Sequence, residues 1–262
     1  MPQDVREPPQ VLPLPYETPW GRTLYYTGAP LDAGPLPTLI YFSLSGEDSL
    51  ATSPFNQPVA FLQGAPLRIF SLDLPAHTRE ENPHEAIKKW ADEMAAGRSP
   101  LTDFIDECAR ACQLLIERGV ADPSRMASAG LSRGAFFATH LSARLPAIKA
   151  VLGFAPLVDL SFAKDFSPIA TQEAVQELAL INLTSLLIKT HFRFYIGNRD
   201  TLVSTKLAFE FITALADAAF EAHQRPPAAE LIITPSIGHH GHGTKRETFF
   251  EGAMWLKSEL LG

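Results

Sequence analysis

The sequence predicts an α/β protein in which a mostly parallel central sheet is flanked by helices. Short apolar segments alternate along the chain with longer segments whose apolar residues recur at helical spacing. Alternation of this kind is typical of parallel strands joined by helices that cover both faces of a sheet. Hydrophobic residues make up 46% of the 262 positions, which is enough to bury a sizeable core. We therefore expect residues 1–262 to form a single domain.

The individual strands and helices follow from this alternation in chain order. Residues 10–29 predict two short strands at an antiparallel edge of the sheet. Further strands are predicted at residues 38–42, 67–72, 126–129, 148–154, 191–196 and 230–235. Helices are predicted at residues 84–96, 101–118, 134–144, 202–223 and 246–260.

One segment departs from the alternation, at residues 161–189 after the sixth predicted strand. It places extra helical sequence between two strands, so we predict a small helical insertion over the carboxyl edge of the sheet. The insertion forms either a lid or pocket wall, or a packing segment without a gating role.

Composition and charge exclude several classes of partner and location. The formal net charge is −7 and no basic cluster is present, so we do not expect nucleic acid as a partner. No apolar run reaches about 18 residues, so we expect no membrane span, and the N-terminus lacks the apolar core of a secretory signal. Cys108 and Cys112 lie four positions apart on a predicted helix and are expected to be reduced, which predicts a cytoplasmic protein. The sequence specifies no oligomeric state.

The motif Gly-Leu-Ser-Arg-Gly at residues 130–134 is the strongest sign of chemistry in the chain. It follows a predicted strand and opens a predicted helix, which is the setting of a nucleophile elbow. The glycines are needed because the turn is sharp, and a side chain at either position would collide with neighbouring backbone. We therefore predict that Ser132 is a nucleophile. The alternative is a serine that caps a helix at a surface turn.

A nucleophilic serine needs a base to remove its proton and an acid to orient that base. Asp200 ends the segment Gly-Asn-Arg-Asp at residues 197–200, just after a predicted strand, and we predict that it is the acid. Asp159 follows the preceding strand and is the alternative. Either aspartate could instead be a turn or N-cap residue.

Three histidines lie in the glycine-rich loop at residues 238–243, after the last predicted strand. We predict that His239 is the base because it follows a glycine directly after the strand. His242 also follows a glycine and is the alternative, while His240 ranks last. A zinc site is the rival interpretation, but no acidic or cysteine ligand lies nearby in the sequence. We expect neither a metal nor an organic cofactor.

The motifs at residues 130–134, 197–200 and 238–239 resemble those of the α/β-hydrolase superfamily, near its dienelactone-hydrolase and prolyl-oligopeptidase-like branch. The segment Asp-Leu-Pro-Ala-His at residues 73–77 also resembles a turn common in this superfamily, where we expect a structural role. The resemblance covers residues 38–260. It implies the α/β-hydrolase fold and serine-hydrolase chemistry without specifying a substrate.

The resemblance also implies an oxyanion hole built from two backbone N–H groups. One belongs to Arg133, directly after the nucleophile. The other comes from the loop Ser-Leu-Ser-Gly at residues 43–46, which departs from the commoner His-Gly-x-Gly. We predict Ser45 as this second donor, with Leu44 as the alternative. The Arg133 side chain either steers an anionic substrate or forms a surface ion pair.

These residues predict a serine hydrolase that cleaves a small-molecule carboxylic ester through an acyl-enzyme. The 262 residues leave no room for the propeller domain of true oligopeptidases, so we expect esters rather than peptides. One alternative is an acyltransferase or thioesterase that uses the same triad. Another is a non-catalytic binding protein on the same fold.

Overall fold

A computed structural model describes residues 12–226 and 228–262, and the described part contains a central sheet of eight strands. The strands are β1 (Leu14–Glu17), β2 (Thr23–Gly28), β3 (Leu36–Phe42), β4 (Arg68–Ser71), β5 (Ala121–Leu131), β6 (Ile148–Phe154), β7 (His191–Gly197) and β8 (Ala229–Thr234).

The order of the strands across the sheet is β1-β2-β4-β3-β5-β6-β7-β8. The pairs β1–β2 and β2–β4 are antiparallel, whereas every other neighbouring pair is parallel. The predicted mostly parallel sheet is therefore confirmed, including its antiparallel edge. Residues 1–11, which carry the start of that predicted edge and of the predicted domain, lie outside the described residues.

Helices cover both faces of the sheet. Within the described residues the α-helices are α1 (Gly46–Ala51), α2 (Gln57–Phe61), α3 (Ala86–Ala95), α4 (Pro100–Glu117), α5 (Arg133–Arg144), α6 (Glu173–Gln176), α7 (Thr184–Leu187), α8 (Thr205–Glu221) and α9 (Arg246–Leu261). The five helices predicted from periodicity are all present, with ends displaced by a few residues at most. The short helices α1, α2, α6 and α7 have no separately predicted counterpart.

The two faces of the sheet bury separate apolar cores. On one face, α3, α5 and α8 contribute Trp90, Phe137 and Phe211. On the other face, α2 and α9 contribute Val59 and Phe249. Helix α5 is the most enclosed, because all nine residues that follow Arg133 are buried. Its position is therefore fixed by packing along its length, and this is the helix that begins directly after Ser132.

The predicted insertion lies between β6 and β7, as expected. It consists of α6, α7 and short 3-10 turns at Leu160–Phe162, Lys164–Ile169 and Leu180–Leu183. Phe166, Val175, Leu180 and Leu187 are fully buried, whereas Phe162, Ile181 and Leu186 are exposed. The segment packs against α3, α5 and α8. These contacts anchor the insertion to the helical layer on one face of the sheet.

No helix among residues 12–226 and 228–262 combines the length and the apolar character that crossing a lipid bilayer requires.

His140 on α5 connects the helix to the insertion. Its Nε2 lies 3.0 Å from the carbonyl oxygen of Leu178, and its ring lies 4.4 Å from that of Phe136, centroid to centroid. Burial lowers the pKa of the His140 imidazole to about 4. The ring is therefore neutral near pH 7, and its Nε2–H donates to Leu178.

We predict that His140→Gln weakens the pH dependence of stability. The imidazole titrates near 6.5 when unfolded and at about 4 when folded. The unfolded state therefore binds more protons between these values, and the free energy of unfolding falls as the pH is lowered through this window. Removing His140 should reduce the slope by up to about 1.4 kcal/mol per pH unit. Urea unfolding of both proteins across this window measures the slopes, and equal slopes would contradict the prediction.

Candidate active site

Ser132 lies on a sharp turn between the end of β5 and the start of α5. Its backbone has φ 56° and ψ −117°, in the left-handed region that non-glycine residues rarely adopt. The turn is held by the N–H of Ser132, which donates to the carbonyl oxygen of Phe154 on the neighbouring strand at 2.7 Å. This geometry is that of a nucleophile elbow.

The two glycines of the motif are required by close backbone contacts. A Cβ atom at Gly130 would lie 2.1 Å from the carbonyl carbon of Gly134, and one at Gly134 would lie 2.0 Å from the carbonyl oxygen of Phe42. No side chain fits at either position without moving backbone. The strand, the turn and the helix therefore pack closely enough to hold the Ser132 hydroxyl in one place.

The histidine beside Ser132 is His242. Its Nε2 lies 2.8 Å from the Ser132 Oγ, and its Nδ1 lies 2.7 Å from Oδ2 of Asp200. Because the carboxylate accepts the Nδ1–H, the lone pair on Nε2 is free to accept the serine hydroxyl proton. The structure thus joins three segments that are far apart in the sequence into one hydrogen-bonded chain.

The carboxylate of Asp200 is fully buried and fixed by backbone. Its Oδ1 accepts the N–H groups of Leu202 at 2.9 Å and Val203 at 3.1 Å. Oδ2 remains to accept the imidazole. The structure therefore places Ser132 and Asp200 at the two ends of the predicted hydrogen-bonded chain. The histidine between them is His242 and not the predicted His239.

The choice of His239 over His242 is wrong. Gly238, with φ 71°, turns the chain directly after the strand, and residues His239–Gly241 form a short 3-10 turn. The backbone then returns at Gly243, whose N–H donates to the Ile237 carbonyl at 2.8 Å. His239 is left exposed on the turn, while His242 is carried back towards Ser132.

His240 and Asp159, the other candidates, have local contacts away from the Ser132 hydroxyl. His240 Nδ1 lies 3.2 Å from the Thr201 Oγ1. Asp159 accepts the N–H of Ser161 at 2.8 Å and caps the 3-10 turn that follows. The N-cap role considered for Asp159 is therefore the one that the structure gives it.

Two glycines allow the acid loop and the histidine loop to touch. A Cβ atom at Gly241 would lie 2.2 Å from the Arg199 carbonyl oxygen. A Cβ atom at Gly197 would lie 2.6 Å from the Gly241 carbonyl oxygen. A backbone hydrogen bond of 3.0 Å from Thr201 N–H to the His240 carbonyl joins the same loops. The distance between Asp200 and His242 is therefore set by backbone contact.

Arg133 and Ser45 are the two residues predicted to donate backbone N–H groups to the oxyanion hole. Arg133 is the first residue of α5, so its N–H has no acceptor within the helix. Ser45 does not line the cavity at Ser132, and its hydroxyl accepts the Asp48 N–H as the N-cap of α1. Leu44 does line the cavity, and its N–H donates to the Ser49 Oγ at 2.8 Å. Because an oxyanion hole uses the backbone N–H and not the hydroxyl, Ser45 stays a prediction as the second donor, whereas the Leu44 N–H already has an acceptor in Ser49.

A cavity of about 320 Å³ opens beside Ser132. Much of its wall is apolar or aromatic, from Leu131, Phe55 and Phe249, and no residue of the insertion contributes to it. The full lining consists of Ser43, Leu44, Pro54, Phe55, Leu131, Ser132, Arg133, His242, Gly243, Thr244 and Phe249. The cavity can take an apolar group of a substrate whose reacting carbon lies at the Ser132 Oγ.

The turn at residues 73–77 has the structural role expected of it. Asp73 Oδ1 accepts the Gly46 N–H at 2.7 Å. The Pro75 carbonyl accepts the Trp90 Nε1–H at 2.8 Å and also lies 2.8 Å from the His77 Nδ1. The turn therefore joins α1, α3 and the sheet.

The Arg133 guanidinium extends from the elbow to this turn. Its Nη1 donates to the Pro83 carbonyl at 2.8 Å and lies 3.1 Å from the His77 Nε2. Burial lowers the pKa of the His77 imidazole to about 4. The surface ion pair considered for Arg133 is not formed with any described residue.

Metal ligands do not converge in the part of the chain that the structure describes. Among those residues, no group of three or more His, Cys, Asp or Glu side chains could hold a metal ion. The rings of His239 and His240 meet edge to face at 4.1 Å between centroids. The histidine-rich loop is therefore explained by its contacts with Ser132, Asp200 and Thr201.

Comparison with known proteins begins with sequence. No protein-family model matches the chain. Over 175 residues, or 58% of its length, the chain is 25% identical to the acylamino-acid-releasing enzyme of Arabidopsis thaliana. The match spans 22% of that protein, so the chain corresponds to only a part of it.

Solved structures show the same fold. Dipeptidyl peptidase 4 of Porphyromonas gingivalis matches 97% of this chain with a TM-score of 0.68 and 14% identity. Prolyl oligopeptidase B of Galerina marginata matches 94% with a TM-score of 0.66 and 18% identity. The chain covers 36% of each of these proteins. By its strand order, its nucleophile elbow and these similarities, the chain has the α/β-hydrolase fold that these proteins share.

Proposed function

We propose that the protein is a serine hydrolase that cleaves an acyl bond through an acyl-enzyme on Ser132. One observation carries the proposal: the unbroken hydrogen-bonded chain from the Ser132 Oγ through His242 to the Asp200 carboxylate. A serine that only capped a helix would need neither a buried carboxylate nor an imidazole in this tautomer. The adjoining cavity gives the substrate a place to bind.

In the first step, the Ser132 Oγ attacks the substrate carbonyl carbon while its proton moves to the His242 Nε2. The imidazolium that forms is stabilised by Asp200, which keeps the Nδ1–H in its hydrogen bond. Negative charge develops on the carbonyl oxygen, and the Arg133 N–H at the start of α5 is a donor for it. The positive end of the α5 dipole favours the same charge.

In the second step, the carbon–leaving-group bond breaks as the leaving group takes the proton from the His242 Nε2. Water then replaces the leaving group, and its proton passes to the same Nε2 as its oxygen attacks the acyl-enzyme. The carboxylic acid is released and Ser132 recovers its proton. The products of the two steps balance with water as the co-substrate.

For the scissile bond, we propose a peptide or related amide rather than the carboxylic ester expected from chain length. The proteins similar to this chain are named as an acylamino-acid-releasing enzyme, a dipeptidyl peptidase and a prolyl oligopeptidase. An amine leaving group needs a proton as the bond breaks, and His242 is positioned to give it. Esters of the same acyl groups are useful as probes, because their better leaving group places less demand on that proton.

We predict that Ser132→Ala abolishes both hydrolysis of p-nitrophenyl butyrate and labelling by a fluorophosphonate probe. The substitution removes the attacking oxygen and leaves the backbone turn in place. Ser258→Ala is the matched control, because its hydroxyl is exposed on α9 and bonds only the Trp255 carbonyl. Circular dichroism checks folding. Labelling of the Ser132→Ala protein at the level of the control would reject the nucleophile.

The two histidines of the loop give a second prediction. His242→Ala should lower kcat/KM for the ester by a factor on the order of 10⁴, because the serine loses its base. His239→Ala should stay within about threefold of wild type, since surface substitutions away from a site usually have small effects. Measuring kcat/KM of both variants under the same conditions tests which histidine is the base. A larger loss in His239→Ala than in His242→Ala would overturn the assignment.

The scissile bond gives a third prediction. An N-acyl amino acid p-nitroanilide and the p-nitrophenyl ester with the same acyl group should both be hydrolysed by wild type. Neither should be hydrolysed by Ser132→Ala, because one nucleophile serves both bonds. Absorbance of the released nitroaniline and nitrophenol measures the two rates. Ester cleavage with no anilide cleavage across a panel of aliphatic and aromatic acyl residues would restore the ester assignment.

A further inference from the structure

The Arg133 side chain is a partly buried cation without a carboxylate partner among the described residues, next to the nucleophile. Its hydrogen bonds to the protein are both made by Nη1, with the Pro83 carbonyl and the His77 Nε2 as partners. A guanidinium has five N–H donors. Among the described residues, the donors on Nε and Nη2 have no hydrogen-bond partner.

Three other arginines have their charge or their donors satisfied within the protein. The fully buried Arg68 donates to four backbone carbonyl oxygens. Arg22 pairs with Glu107 at 2.6 Å, and Arg193 pairs with Glu230 at 2.5 Å. Arg133 has no such carboxylate in the part of the chain that the structure describes. Burial lowers the pKa of its guanidinium. A partly desolvated cation with unbonded donors beside the nucleophile is suited to bind an anionic group of a ligand.

His77 cannot supply the missing negative charge. Its Nδ1–H donates to the Pro75 carbonyl and its Nε2 accepts from Arg133, so the ring is neutral. Glu81 is the acidic residue with an electrostatic effect on His77. Its carboxylate is already bonded to the Lys89 Nζ at 3.3 Å and to the Thr78 N–H at 3.1 Å. The positive charge of Arg133 therefore stays uncompensated within this cluster.

The position of Arg133 relates this charge to the reacting carbonyl. In the proposed mechanism its own backbone N–H is a donor for the carbonyl oxygen. The guanidinium is therefore no farther from that donor than the length of the Arg133 side chain. The leaving group must lie at the His242 Nε2, in the loop at residues 238–243. The guanidinium instead contacts residues of the segment 75–83. The guanidinium and the leaving group therefore lie on different sides of the reacting carbonyl. This arrangement assigns the positive charge of Arg133 to the acyl part of the substrate.

We propose that Arg133 binds a carboxylate on the acyl part of the substrate, so that the enzyme acts on acyl donors that carry a second, negatively charged carboxyl group. This inference rests on the proposed serine-hydrolase function. An acidic side chain of a peptide or one end of a dicarboxylic acid would meet the requirement. Because the chain has a net charge of −7, an anionic substrate needs a local cation to offset the repulsion of the whole protein.

The test uses two esters that differ only in charge, p-nitrophenyl hydrogen glutarate and its methyl ester. Wild type should hydrolyse the charged ester with a kcat/KM at least about tenfold higher, as expected for a charge-assisted hydrogen bond. Arg133→Met should bring the ratio of the two kcat/KM values to about one or below, whatever its absolute rates. Arg144→Met is the matched control, because it removes the same charge at the opposite end of α5, where Arg144 is half exposed beside Asp106. It should keep the wild-type ratio.

A second measurement needs no variant. Glutarate should inhibit wild-type hydrolysis of p-nitrophenyl butyrate at a concentration at least about tenfold lower than its uncharged diamide, glutaramide, does. Equal inhibition by the two compounds, or a wild-type ratio near one for the two esters, would overturn the proposal. So would a ratio that persists in Arg133→Met, because the side chain would then be structural.

Failure of this inference is distinguishable from failure of the proposed function. A neutral fluorophosphonate should label Ser132 in wild type and in Arg144→Met, independently of any charge preference. Labelling without charge preference would overturn the role of Arg133 alone. Absence of labelling would overturn both proposals.

Discussion

The hydrogen bond between the His242 Nδ1 and Asp200 is the interaction on which the rest of the site depends. It fixes the tautomer of the imidazole, so that Nε2 has a lone pair to accept the Ser132 proton. Its length of 2.7 Å is set by its surroundings. The carboxylate is held by two backbone N–H groups, and the two loops touch where Gly197 and Gly241 leave room for backbone. The chemistry therefore depends on backbone packing at the carboxyl ends of β7 and β8.

Much of the fold and the nucleophile could be predicted because their signals are local. The strands and long helices follow from hydrophobic periodicity, and the elbow follows from two glycines around Ser132. The structure gives the reason for those glycines, since Gly134 lies against the Phe42 carbonyl. Helix α1 also had a local signal, because Ser45 and Asp48 form the start of a capping motif. That signal assigns the Ser45 hydroxyl to a cap, whereas the predicted role in the oxyanion hole concerns its backbone N–H.

The choice of histidine could not be predicted because it depends on contacts between distant segments. His239 and His242 each follow a glycine, so the local sequence treats them alike. The path of the loop is decided by its contact with Arg199, more than thirty residues earlier, and by the turn at Gly238. The absence of an ion pair at Arg133 is equally invisible in sequence, because it is a property of everything that packs around the guanidinium.

The acyl-enzyme, the cavity and the charge at Arg133 give one description of how substrate meets the site. In the proposed function, the apolar wall beside Ser132 would take an uncharged group, and Arg133 would provide both a donor for the carbonyl oxygen and a cation for the acyl part. Arg133 would then contribute to both chemistry and selectivity through its backbone and its side chain. The similar peptidases share the fold at low identity, so this pairing is argued from the residues of this chain.

The most direct measurement is a crystal structure of the protein after reaction with a fluorophosphonate. The phosphorus should be bonded to the Ser132 Oγ, with a phosphoryl oxygen within hydrogen-bond distance of the Arg133 N–H. The His242 ring should lie beside the adduct and remain bonded to Asp200. Phosphorus on another side chain, or a His242 ring out of reach of position 132 and separated from Asp200, would contradict the account.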